Sequence, residues 1–147
     1  MIQLVPLLKF FVDVDDPIEL GLCGGVGRRV VPITGGRVSG AHTGTILPGA
    51  DWQQIAADGC LDIAAHYVLA LEEGLVEVDS RGLRHAAPAI AERLKQGAAV
   101  GRDEYYFRTA MRFKTSSPKL QYLNALLAVS AGERLKNCVN LDVFRLT

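Results

Sequence analysis

The sequence carries no surplus of either charge: sixteen lysines and arginines face sixteen aspartates and glutamates. Such a balance offers no net field to DNA, RNA or an anionic membrane, so neither a nucleic acid nor a membrane is an expected partner. Cysteine is scarce as well. Cys23, Cys60 and Cys138 are an odd number, widely spaced and without a CxxC pair, which argues against a disulfide framework and for a reducing, cytoplasmic setting. Three dispersed histidines, with neither HExxH nor paired CxxC, suggest no zinc site. The glycine-rich GLCGGVGRR lacks the spacing and closing Lys-Ser/Thr of a phosphate loop and precedes strand-like sequence, so its glycines read as turn residues. No GxSxG nucleophile elbow is present. No metal or cofactor is therefore expected. Long apolar runs are missing too, and the opening MIQLVPLLKFFVDVDD, with Lys9 and its aspartates, reads as a first strand rather than a signal peptide.

What is present is the material of a globular β protein. Hydrophobic residues make up 49% and charged residues 22% of 147 positions, enough for one domain over residues 1–147 closed around a single core. LVPLLKFFVDV predicts an edge strand, because Pro6 cannot donate to a central ladder. RRVVPI predicts a strand that ends at TGG, and the glycine-rich RVSGAHTGTIL suggests a bulge, a barrel corner or a close backbone approach. Residues 59–71 form the longest strand candidate, answered by LVEVDS in a hairpin, with SRG marking the next turn. PAIAERLKQG is the one clear helical stretch, between Pro88 and Gly97. EYYFRTAMRFKT, ALLAVSA and NCVNLDVFRL return to strand, and SSPKLQYLN admits one helical turn at its start, with QYLN either helical or extended. The spacing of strands and turns predicts an all-β fold: an antiparallel, closed or nearly closed barrel with one short helix.

Four segments taken together, GRRVVPITGGRVSG, GTILPGADWQQIAADGCLDIAAHYVLALEEG, YYFRTAMRFKTS and YLNALLAVSAGE, resemble the family catalogued as domain of unknown function 3237, or uncharacterised protein family 0311. The resemblance runs over roughly residues 4 to 146. It implies a calycin-like barrel with a central cavity and says almost nothing about a substrate. PGADW, at residues 48–52, fits the family pattern closely, whereas His66 stands where the family usually has arginine.

Period two places Asp62, Ala64, His66, Val68 and Ala70 on one face of the long strand, and the apolar Leu61, Ile63, Ala65, Tyr67, Leu69 and Leu71 on the other. In the barrel that the resemblance implies, the small, partly polar face is expected to line the cavity; the alternative is that Asp62 and His66 face solvent. Four residues of strand span about 13 Å, so these two cannot form a direct dyad. His66 is the best titrating candidate, or else a structural histidine. Asp51 either moves a proton or caps the turn behind it, and Trp52 either floors a pocket or plugs a barrel end. Arg108 beside Tyr106 either binds a carboxylate or carbonyl or makes a surface or interface ion pair. Tyr122 and Asn124 are further contact candidates.

Three functions fit these residues. One is a cofactor-independent enzyme that cyclises, isomerises or hydrates an aromatic or carbonyl-bearing metabolite, with His66, Asp51 and Arg108 catalytic and Trp52, Asp62, Tyr106, Tyr122 and Asn124 binding. The second is a small-molecule binding barrel without catalysis. The third is a structural homo-oligomer, for which a homodimer is the expected form.

Overall fold

The computed structural model describes residues 1–147. Ten strands form one antiparallel sheet: β1 Leu4–Val14, β2 Ile18–Cys23, β3 Val26–Gly40, β4 Gly44–Ile46, β5 Gly49–Ile55, β6 Leu61–Leu71, β7 Gly74–His85, β8 Tyr106–Lys114, β9 Ala128–Arg134 and β10 Cys138–Leu146. Each of β6 to β10 pairs with the next, and β1 pairs with both β10 and β3, which closes the sheet on itself. The short β4 and β5 share one position between β3 and β6, so the wall has eight strand positions. Closure satisfies backbone donors and acceptors that an open sheet would leave at its edges.

One α-helix, α1 (Pro88–Lys95), starts on its proline and lies against one end of the barrel. A 3-10 helix at Pro118–Ala125 crosses the other end and drives Leu120 and Leu123 fully into the interior. No helix is long and apolar enough to cross a membrane.

β1 is not an edge strand. Pro6 sits where only the β10 ladder runs, at a register shift between Pro6 and Leu8, and pairing with β3 begins only at Leu8. The missing donor is thus placed where it costs no ladder bond. β3 likewise does not stop at TGG. It bends there, leaving β5 after Ile33 and meeting β4 from Arg37. Gly36 makes the bend possible: its φ is 142°, and a Cβ at this position would strike the Phe11 carbonyl oxygen. β7 also runs straight through SRG to His85, held on one side by β6 and on the other by β8. The glycines of GLCGGVGRR do turn the chain, with Gly24 and Gly25 at φ 62° and 83° between β2 and β3.

Alternation decides what fills the barrel. On β6, Leu61, Ile63, Ala65, Tyr67, Leu69 and Leu71 are all buried, and the intervening residues are half-buried or exposed. Val76 and Val78 of β7, Met111 and Phe113 of β8, Ala128 of β9 and Val143 of β10 join them in one core cluster. Fully burying an aliphatic side chain of this size is worth about 1.5–3 kcal/mol. The apolar face therefore turns inward.

Candidate functional site

The inward alternation carries polar groups into one half of the barrel. On β5, Asp51 and Gln53 point inward and Trp52 between them points out, because neighbouring residues of a strand take opposite faces. The register sets Asp51 opposite Ala65, Ala65 opposite Ser80, Gly82 opposite Thr109, and Thr109 opposite Ser130. Small residues at these crossings leave a cavity of about 50 Å³, lined by Asp51, Tyr67, Ser80 and Thr109 among aliphatic and aromatic neighbours. Gly132 extends the small-residue row; a Cβ there would run into the Phe107 ring.

The polar atoms of this half are unevenly satisfied. Gln53 Nε2 donates to Asp51 Oδ2 at 2.7 Å, and Gln53 Oε1 accepts from Arg29 Nε at 2.7 Å. Thr109 and Ser130 pair through their hydroxyls at 2.5 Å. Asp51 Oδ1 and the Tyr67 hydroxyl are buried without any partner. Burial pushes the Asp51 carboxyl up from an ordinary 3.8 to about 6, against the lowering influence of Gln53, the Ala64 backbone and the positive charges of Arg84 and Arg29. Burial, with the Asp51 charge adding to it, also raises the Tyr67 hydroxyl, which stays protonated as a donor.

Across Gln53 from Asp51 lies a wider mouth of about 460 Å³ beside α1, where Arg29, Arg84 and Arg134 converge; it shares no lining residue with the inner cavity. Each comes from the inward face of its strand, β3, β7 and β9 respectively. Arg84 is held down to about 10, first by burial and then by the charges of Arg29 and Arg134. Arg134 is lowered in the same direction and for the same causes, burial and then Arg29. Its Nη1 is buried with no partner.

Of the residues expected from sequence, only Asp51 lies in the interior. Asp62 and His66 are on the outer face of β6, so the small, partly polar face does not line the cavity. His66 pairs with Glu77 at 2.6 Å in the open, with 65% of its side chain exposed. The physical reason is the narrowness of the barrel: its interior is mostly core, and the core claims the apolar face. Trp52 is 43% exposed and packs under the Arg28 guanidinium, 5.6 Å from the ring centroid.

Arg108 and Tyr106 do share a face, but it is the outer one. The guanidinium lies 5.5 Å from the tyrosine ring centroid, and Arg108 Nη1 donates to the Phe107 carbonyl at 2.9 Å. They border an outer groove of about 480 Å³ over β8 and β9, a groove as roomy as the mouth but lined by no buried, unpartnered polar atom. Tyr122 and Asn124 stand at the opposite end of the barrel. Tyr122 meets His42 Nε2 at 2.5 Å, His42 Nδ1 meets Glu73 at 2.9 Å, and Asn124 clasps both backbone groups of Thr115. These contacts fasten the 3-10 plug to the wall.

The arginines and Tyr67 were missed in the sequence. A signal exists for the former: Arg29 shares parity with Val31 and Ile33, Arg84 with Val76 and Val78, and Arg134 with Ala128 and Ser130. A charge continuing a buried face at a strand end marks the rim of a barrel. Tyr67 lay on the face read as packing.

Comparison with known proteins bears on this geometry. The family model described as "Protein of unknown function (DUF3237)" matches residues 2–146. A UPF0311 protein of Bradyrhizobium diazoefficiens is 35% identical over 135 residues, 90% of this chain and 89% of that one. A β-barrel-like protein of Acinetobacter baumannii, known from its crystal structure, is 40% identical with a TM-score of 0.86, covering 100% of this chain and 97% of that one. An enzyme from Penicillium herquei shares the fold at 18% identity and a TM-score of 0.72, covering 100% of this chain and 94% of its own. With a family model spanning nearly every residue and a relative this similar along most of its length, the chain belongs to the DUF3237 family of proteins of unknown function.

Proposed function

We propose that the polar half of the barrel interior binds a small carbonyl-bearing molecule and that Asp51 moves a proton on it without a cofactor. One observation carries this reading: a buried carboxylate with one oxygen anchored by Gln53 and the other aimed, unpartnered, into a cavity it shares with an unpartnered tyrosine hydroxyl. Buried polar groups are ordinarily satisfied, and leaving one bare costs about 1–3 kcal/mol. Such groups persist where a ligand completes them.

The chemistry follows from the two groups. Asp51 Oδ1 accepts a proton from the carbon next to the carbonyl, the C–H electron pair moves into the new C=C bond, and the carbonyl π pair moves onto oxygen. The Tyr67 O–H donates to that oxygen as its charge develops. Returning the proton to a different atom, or closing a ring onto the activated position, regenerates the carboxylate. A base near pH 6 is matched to this work at neutral pH. The enzyme from Penicillium herquei, alike in fold, is compatible with catalysis on this scaffold and identifies no reaction for this chain.

The test is deuterium wash-in followed by NMR, with small aryl ketones such as phenylacetone in D2O. The expected result is exchange at the α-carbon that is lost in Asp51→Asn, while His66→Ala and Arg108→Gln retain it. Exchange no faster with the wild type than with Asp51→Asn overturns the catalytic role.

A further inference from the structure

The mouth holds more positive charge than the protein itself answers. Arg29 is spoken for: it donates to Gln53 at 2.7 Å and faces Glu19 at 3.7 Å. Arg84 and Arg134 form no ion pair, and the Nη1 of Arg134 is buried without any acceptor. Lys95 and Lys136 add to the same rim, against Asp16 and Glu19, while Asp51 lies deeper. Guanidiniums withdrawn from water and crowded against one another destabilise a fold unless something answers their charge. Their lowered pKa values, caused by burial and by each other, agree with this.

We propose that the missing counterion is a carboxylate on the ligand itself, received at the mouth by Arg84 and Arg134. This rests on the reading of the barrel interior as a small-molecule site and names the class of molecule it takes. A planar guanidinium fork matches a carboxylate with two parallel hydrogen bonds, and two such forks without protein partners offer more donors than one carboxylate needs. Size divides the ligand in the same way. The mouth, about 460 Å³, falls in the usual range for small-molecule clefts of about 300–1,000 Å³. The inner cavity, about 50 Å³, is far below that range and admits only a small group. The ligand is therefore a carboxylic acid whose body and charge stay at the mouth and whose reactive tip reaches Asp51 and Tyr67 by displacing the Gln53 side chain that separates the two spaces.

The experiment compares benzoate with its neutral isostere benzamide, by calorimetric titration and by thermal shift at fixed ionic strength and pH 7.5. Benzoate is expected to bind saturably and raise Tm, with benzamide at least tenfold weaker. Arg84→Gln and Arg134→Gln should each weaken benzoate tenfold or more, and Lys95→Gln at the rim less than threefold. Without ligand, both arginine variants should melt no lower than the wild type, because each removes an unanswered charge; this guards against misfolding as the cause. Equal binding of benzoate and benzamide, or benzoate binding untouched by both arginine variants, overturns the proposal. Phenyl phosphate binding tenfold tighter than benzoate also overturns it and makes the anion a phosphate. The two readings fail separately. Deuterium exchange into phenylacetone with no preference for benzoate sinks only the carboxylate, and a benzoate preference with no Asp51-dependent exchange sinks only the proton transfer.

Discussion

The two halves of the barrel interior are built by the same strands yet obey different rules. Towards the 3-10 plug, β7 contributes Val76 and Val78, β8 contributes Met111 and Phe113, and no polar side chain enters. Towards α1, the same strands contribute Ser80 and Arg84, and Phe107 and Thr109. Only the first half is packed to exclude everything. The second keeps a cavity, a bare carboxylate oxygen and three arginines, none of which a stable core requires. One end of the molecule is packed core, and the other carries the polar groups on which the proposed function rests.

Substitutions can break this contrast, and the largest effect belongs to the dry half. Phe113→Ala should cost about 3–5 kcal/mol in urea unfolding, as loss of a buried aromatic usually does. Asp51→Asn should do the opposite. With its pKa raised from 3.8 to about 6, the folded protein binds this proton more tightly than the unfolded chain does. The carboxylate therefore contributes nothing adverse below pH 3.8, destabilises progressively as pH rises from 3.8 to 6, and costs about 3 kcal/mol above that window. The variant should gain up to about that much at pH 7.5 and nothing at pH 3.5. If it loses stability at pH 7.5 instead, the polar half is structural and the contrast collapses.

A finer cut separates the satisfied polar groups from the bare ones. Thr109→Val leaves the Ser130 hydroxyl buried without a partner and should cost about 1–3 kcal/mol. Adding Ser130→Ala should recover part of that loss, a coupling visible in a double-mutant cycle. The smallest effect belongs outside the wall: His66→Ala removes an exposed pair with Glu77 and should shift stability by about 0–1 kcal/mol.

How much of this was legible in the sequence depends on the scale of the feature. The barrel, the β6–β7 hairpin and the helix after Pro88 were readable, because turn residues and alternation act over a few positions. The two faces of β6 were divided correctly, but their sense was inverted. Period two sorts residues into faces without saying which is inside, and the small face of β6 was matched to a roomy cavity that this narrow barrel lacks. The space that does exist is lined by Ala65, Ser80 and Thr109, single small residues on three strands. Only register brings them together, and register is set by ladders between distant segments. Asp51 was found from its turn; its partner Gln53, two residues on, needed only the same parity. Trp52 could never have joined Asp51 inside, since adjacent residues of a strand diverge.

Closure leaves one loose end. β2 pairs with β3 alone, and its Ile18, Leu20 and Leu22 stand exposed. A flat, greasy rim of this kind would invite other chains to extend the sheet. Here the pairing shifts between Glu19 and Gly21, where Gly21 takes a φ of 81°. The distortion interrupts the row of donors and acceptors that would otherwise run unbroken along that border.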